Sequence, residues 1–531
     1  MVRLSPRARP ILLAIAVVLA VSAALGIGVH QLALRRRTPL DAARALAERG
    51  RYAEAETIYL ALARRSVPSL PALVELMDNH RNVLLLAANH RLSPERPELL
   101  RALAASETAI DSVLTSPALT PDVALLAQFW NRVTRGEATP EDRAIVAAIA
   151  NSDPPAPWSN HLLGREADDD DRDAEAAEDF AREAGAFDGR RDDADAAFGE
   201  WVEASDWGRI ASALQNPRFA RQVRASLRMK AAISRRDWLE MVRWFFPSQY
   251  EDVTVGILLL VIASGVVWFA ICTQIGLIAQ RARFRLALYS AAFILGVLST
   301  YVTLALAIFE HALGFVETGQ MVRDAIYFVV GVGLREELSK ALLLLPLVPI
   351  VVRWGRRREA LACGALVGLG FAAEENIGYF QMGLSTALAR FLTANFLHVG
   401  TTGLVAVALD DHFRGRENEH GELSRTLMLV IAIHGLYDFF LSSSSVSGGS
   451  FLAMFVFVLL TRRFVDVLRE LPGREGPLLR WFCIGLSVVA GASFVYACTI
   501  VAPQEAIFAL LEGVLGLAIV TYVFVHEFGR I

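Results

Sequence analysis

The chain has 531 residues, 54% of them hydrophobic and 20% charged, with a formal net charge of −4. That length exceeds one ordinary compact domain, and that composition is too apolar for an ordinary soluble protein. The slightly negative balance gives no reason to expect nucleic acid as a partner.

Pro10 to Leu34 form the first apolar run, after Arg3, Arg7 and Arg9. It is long enough to cross ~30 Å of hydrocarbon and longer than the apolar core of a cleaved signal peptide. Residues 1–37 therefore read as a signal-anchor transmembrane helix. Residues 38–251 are polar and Ala-rich, and read as an extracytoplasmic helical domain. Within it, Gly50, Tyr52, Ala55, Tyr59 and Leu62 follow the pattern of one tetratricopeptide-like hairpin, with Pro68 near the expected stop. No second unit stands in register, and an amphipathic helical pair accounts for the same residues. The acidic stretch 165–200 holds fifteen acidic and five basic residues and reads as solvated or disordered chain.

From Val253 the chain is almost continuously membrane-like. Spans are expected near 253–280, 286–309, 324–352, 359–380, 387–410, 426–442, 449–461, 478–502 and 504–526, about nine helices in a membrane domain of residues 252–531. The fold class is all-α, a polytopic helical membrane bundle with an anchor helix and a helical extramembrane domain. Arginines mark alternate loops: Arg281, Arg283 and Arg285; Arg353, Arg356, Arg357 and Arg358; Arg414, Arg416 and Arg425; Arg462, Arg463, Arg469, Arg474 and Arg480; then Arg530. The intervening loops hold only Arg323 and Arg390, at span edges. The positive-inside rule then puts both termini in the cytoplasm and residues 38–251 outside, against the local pull of Arg35, Arg36 and Arg37. The expected place is the cell (inner) membrane. Cys272, Cys363, Cys483 and Cys498 all lie in apolar runs, and the polar region has no cysteine, so no disulfide is expected there.

Charged groups at the bilayer centre cost at least ~2.5 kcal/mol each and so mark function or a partner. Four consecutive spans carry them. Glu336, Glu337 and Lys340 share a helix face, so that one lysine can neutralise one glutamate and leave the other for proton chemistry. Lys340 is notable in a chain whose only other lysine is Lys230. Glu374, Glu375 and Asn376 follow in the next span. His398 comes after Asn395, with Thr402 one turn later. His434 and Asp438 stand four apart, so the carboxylate can hold the imidazole in one tautomer. A buried ion pair that only orients helices would need one glutamate, and here there are two. Since spans alternate in direction, Glu336, Glu337, His398 and His434 all fall about half-way through the bilayer, where four helices can present them to one cavity.

Together these segments, Glu336-Glu337-x-x-Lys340, Phe371-x-x-x-Glu375-Asn376, His398 and His434-x-x-x-Asp438, resemble the PrsW family of intramembrane proteases, within the wider group that includes the CAAX prenyl proteases. The resemblance covers a core of 324–442. It implies hydrolysis of a peptide bond in a membrane-protein substrate, such as a membrane-bound anti-sigma factor or another regulator. Residues 38–251 lie outside the family pattern, and a protein partner for them is expected.

Peptide hydrolysis needs an activated water, a stabilised oxyanion and a protonated leaving amine. Glu336 and Glu337 are the expected base and acid. His398 and His434 would bind the water or oxyanion, Asn376 would be a further donor, and Glu375 a second or orienting carboxylate. No cofactor is then required. Alternatively Glu337, Glu375, His398 and His434 could hold one divalent metal such as zinc, although the His-Glu-x-x-His helix of common zinc proteases is absent. A proton-coupled transporter would also place such residues at mid-membrane, but no internal repeat is visible. An inactive scaffold is the third reading.

Overall fold

Lipid offers no partner to a backbone N–H or C=O, so a chain this apolar has to satisfy those groups within helices. The computed structural model describes residues 8–36, 38–65, 69–89, 96–276, 282–416, 422–446, 448–471 and 477–529, and no strand occurs among them. Two compact units are present: Met1–Ala33 with Asp252–Ile531, and Leu34–Glu251.

The Leu34–Glu251 unit is built of short helices with locally coded starts. Thr38 and Thr139 each form a capping box with Asp41 or Asp142, and Pro39 and Pro140 fill the first helical position where no N–H is needed. Tyr59, Met77, Trp130 and Leu162 anchor one core, and Phe180, Phe198, Trp201 and Phe219 a second. Gly50 turns with φ 72° into the helix Tyr52–Arg65, which buries Ala55 and Tyr59. Pro68 lies outside the described residues. The acidic stretch departs from the expectation of solvated or disordered chain. It forms the helix Asp173–Ala186, the end of Ser159–Asp169 and most of Arg191–Glu203. The physical reason is pairing: the buried Asp179, Glu183 and Asp193 meet Arg182, Arg190 and His161, respectively.

The first helix of the chain is α1 (Ala8–Arg36), and α2 (Trp238–Tyr250) closes the Leu34–Glu251 unit. The membrane unit continues with α3 (Val255–Ile275), α4 (Ala282–Ala312), α5 (Leu334–Leu344), α6 (Arg357–Tyr379), α7 (Leu384–Leu392), α8 (Ala394–Phe413), α9 (Glu422–Ser442), α10 (Ser450–Glu470), α11 (Leu478–Ile500), α12 (Pro503–Gly516) and α13 (Ala518–Gly529). On α3, Val255, Leu259, Ile262 and Val266 form an exposed stripe at helical spacing, as a lipid-facing side requires. Helix α8 is buried along nearly all its length and α6 along most of it, so these two form the centre. Both are rich in Gly and Ala, which lets helices approach closely where lipid removes the hydrophobic drive.

Seven helices among the described residues, including α1, are long and apolar enough to cross a membrane. The α12–α13 pair, bent by 63°, makes an eighth if it is one broken span. Three expected spans differ. The 324–352 run is interrupted, passing through a π-turn at Tyr327–Gly333, then α5, a 3-10 turn at Leu345–Leu347 and a last helix Val348–Trp354. Pro346 and Pro349 account for the later breaks by removing backbone donors. The 449–461 run belongs to α10, which continues to Glu470 and carries Arg462, Arg463 and Arg469 on helix rather than in a loop. The 504–526 run breaks near Gly513 and Gly516. Arg3, Arg7, Arg37, Arg281, Arg474 and Arg530 lie outside the described residues. All four cysteines are free.

Two glycines set the spacing around the charged residues. A Cβ on Gly368 of α6 would lie 2.5 Å from the carbonyl carbon of His398 on α8. A Cβ on Gly435 of α9 would lie 2.5 Å from the carbonyl oxygen of Phe328 in the π-turn. Overpacking of this kind costs about 1–3 kcal/mol. Gly368→Ala and Gly435→Ala are therefore expected to lower the thermal midpoint in detergent. Gly378→Ala, where an added Cβ meets nothing within 4 Å, should not. Equal midpoints for all three variants would refute the close-approach reading.

Candidate active site

Helix α5 is amphipathic in an inverted sense. Glu336, Glu337, Lys340 and Leu344 recur on the buried side, while Leu338, Leu342 and Leu345 are 42%, 56% and 40% exposed on the other. It packs against α4, α6, α8 and α9, so its charged face is enclosed by protein and its leucine face is left for lipid. Arg335 is taken out of the cluster by an ion pair with Glu310 of α4.

Lys340 has no exposed surface and sits at the centre. Its Nζ donates to Glu337 Oε1 at 2.9 Å, to Glu336 Oε2 at 3.3 Å and to His398 Nδ1 at 2.9 Å. It also lies 4.1 Å above the centre of the Phe371 ring, a cation–π contact. Glu337 Oε1 further accepts from His434 Nδ1–H at 2.6 Å and from Thr401 Oγ1 at 3.1 Å. Its other oxygen is buried with no hydrogen-bond partner. Glu336 is held more loosely: beyond Lys340, its Oε2 lies 3.4 Å from His434 Nε2. That nitrogen is also 3.3 Å from Asp438 Oδ2. The rings of His398 and His434 stand 5.0 Å apart.

Since Lys340 donates to His398 Nδ1, the hydrogen-bond pattern assigns the His398 proton to Nε2, which faces Glu375 Oε2 at 3.1 Å. Glu375 also accepts from Arg390. The structure thus brings Glu336, Glu337, Lys340, Glu375, His398, His434 and Asp438 together, from α5, α6, α8 and α9. Asn376 stands behind them. Its Oδ1 accepts from Arg390 Nε at 2.7 Å and its Nδ2 donates to Asn395 Oδ1 at 2.8 Å, with Asn395 passing the chain on to Ser264. The residue one turn after His398 that touches a glutamate is Thr401, not Thr402, because three residues rather than four carry the hydroxyl toward α5. By sequence, Arg390 is a span-edge charge. It lies instead on α7, is stacked 3.7 Å above the Tyr379 ring, and joins Glu375 to Asn376. The available signal was a lone arginine inside an apolar helix whose neighbouring span carries unpaired acids.

Among the described residues one group has metal-ligating geometry: Glu336, His398 and His434, buried, with ligand atoms within 4.8 Å of one another. One carboxylate and two imidazoles are a proper zinc donor set, and Glu337 on His434 Nδ1 is the kind of carboxylate that orients a ligating histidine. The residues therefore fit a divalent metal. The set contains Glu336 where Glu337 and Glu375 were expected, since Glu337 is bound by Lys340, His434 and Thr401, and Glu375 by Arg390 and His398. A metal here would compete with the Lys340 ammonium for Glu336 and His398.

Residues 285–461, about a third of the chain, match the family described as PrsW family intramembrane metalloprotease. The matched region contains every residue of the cluster, so the resemblance drawn from the four segments holds. No curated protein and no solved structure matches the chain.

Removing one partner of a buried charge group costs about 3–5 kcal/mol, because the other charges stay behind. Lys340→Met is expected to destabilise the protein on that scale, seen as a lowered thermal midpoint. Adding Glu337→Gln should recover part of the loss. A double variant no more stable than the single one would show that Lys340 does not balance Glu337.

Proposed function

We propose that the chain is an intramembrane endopeptidase that hydrolyses a peptide bond of a membrane-bound protein. The observation that carries this reading is the convergence of two glutamates, two histidines and one ammonium, from three helices, on a cluster buried in an otherwise apolar bundle. Such residues are costly in lipid, and their mutual contacts supply what amide hydrolysis needs.

Glu337, fixed by three donors, is the positioning carboxylate. Glu336, more loosely held, accepts the proton of the attacking water as its oxygen bonds to the scissile carbonyl carbon. The carbonyl π electrons move to the oxygen, and Lys340 Nζ and the imidazoles lie in reach of that negative charge. Glu336 then returns the proton to the leaving nitrogen as the carbon–nitrogen bond breaks, which yields a free carboxyl and a free amine. His434, steadied by Glu337 and Asp438, orients the water. Asn376 serves through Arg390 and Glu375 rather than as an oxyanion donor. When bound at Glu336, His398 and His434, a divalent metal such as zinc would supply a Lewis acid for the water. Glutamates acting without it remain the reading favoured by the resident ammonium.

The substrate class is a single-span regulatory membrane protein, of which a membrane-bound anti-sigma factor is one kind. Alternation of arginine-rich loops supports cytoplasmic termini and an extracytoplasmic 38–251 domain, with that domain free to bind a protein partner.

The test is cleavage of a tagged single-span substrate by purified protein in lipid. Glu336→Gln and His434→Ala are expected to lower the rate by ~10²-fold or more, the scale of general acid–base catalysis. A chelator that abolishes cleavage, reversed by zinc, would select the metal form. Cleavage undiminished in both variants would remove the cluster from the chemistry, and proton-coupled uptake into vesicles without cleavage would make the chain a transporter.

A further inference from the structure

We propose that α2, the last helix of the Leu34–Glu251 unit, lies in the membrane–water interface with one apolar side against lipid. Four of its large apolar residues are exposed: Trp238 at 49%, Leu239 at 79%, Val242 at 73% and Phe246 at 52%. At ~100° per residue these four fall within an arc of about 100°, so they form one continuous side. Met241, on a different side of the helix, is buried in the unit. Elsewhere among the described residues of this unit, exposed large apolar side chains occur singly, at Leu34, Leu85 and Ile145. Isolated ones need no explanation, whereas a contiguous helical side does.

The occupant follows from the chain itself. Helix α2 ends at Tyr250 and the membrane span α3 begins at Val255. The five residue-to-residue steps between them reach roughly 18 Å at full extension, so the end of α2 is tethered near the bilayer surface. Trp settles at the boundary of hydrocarbon and headgroups, and Trp, Phe and Leu make up the apolar side of interfacial helices. Arg243, exposed although paired with Glu240, flanks the apolar side on the same helix and can reach lipid phosphates. A polar unit otherwise without such a side would gain from it a fixed attachment at the surface where a membrane substrate arrives.

The experiment uses the full chain. Leu239→Cys and Val242→Cys, with Ile145→Cys as control, are labelled in detergent with a polarity-sensitive maleimide. The parent chain, whose four cysteines lie in apolar helices, gives the background. After reconstitution in phosphatidylcholine–phosphatidylglycerol vesicles, labels at 239 and 242 should lose fluorescence to doxyl-lipid and resist iodide, while the label at 145 behaves oppositely. Quenching at 239 and 242 by iodide alone overturns the proposal. So does protection from both quenchers, which would assign this side to a protein, including a second copy of the chain.

Discussion

The fold is organised around one ammonium that has no access to water. Lys340 is fully buried in a chain segment set among membrane spans, and it is held only because Glu336, Glu337 and His398 accept its three protons. An unpaired charge there would be intolerable, so the surrounding architecture has to deliver those acceptors with little freedom. Helix α5 supplies two by spacing. Helix α8 supplies the third, and its distance from α6 is set by Gly368 against the backbone of His398. Helix α9 is drawn to the π-turn by Gly435, which brings His434 onto Glu337. Small residues at crossings and charged residues in the cluster are therefore one design: the first permit the proximity that the second require.

That arrangement separates two adjacent glutamates into unlike roles. Glu337 Oε1 is met by Lys340, His434 and Thr401, which leaves it little freedom to move. Glu336 is met at 3.3 Å and 3.4 Å, longer contacts that a water or a metal could exchange for its own. Adjacent residues on one helix differ by about 100° in direction, enough for one to face α8 and α9 squarely and the other to lie at the edge of the cluster. The second acidic position, Glu375, is balanced separately by Arg390, so Lys340 is not shared among more carboxylates than it can satisfy.

Much of the site was legible because polar residues in apolar runs are conspicuous: the transfer cost that makes them rare makes them readable. Glu336, Glu337, His398 and His434 stood out in this way, and their depth predicted that they would meet. Arg390 was missed since a charge near a span boundary has an ordinary explanation at the headgroups. Thr401 and not Thr402 meets Glu337, and the sequence does not show this, because one residue in a helix changes direction by about 100° without changing composition. The π-turn before α5 left no mark, as the apolar run around Gly331 and Gly333 suits either helix type. In the polar unit, net charge misled. Fifteen acids suggested solvated or disordered chain, yet the arginines and one histidine that pair with Asp179, Glu183 and Asp193 lie in or near the same segment, and pairing depends on helix contacts that composition does not encode.

The lysine itself carries a last argument. The chain uses arginine almost everywhere, with Lys230 and Lys340 the exceptions. Where a planar fork fits, arginine is found. Arg390 spans a carboxylate and an amide while stacking on Tyr379, and the buried Arg358 reaches the carbonyls of Leu468 and Leu471. At position 340 the acceptors surround a point instead of lining a plane, and the Phe371 ring closes one side at 4.1 Å. A guanidinium there would have five donors to satisfy against three acceptors, and its width would push α5 away from α8. The compact ammonium finds an acceptor for each of its three protons, which accounts for a lysine at a buried position where arginine's geometry fails.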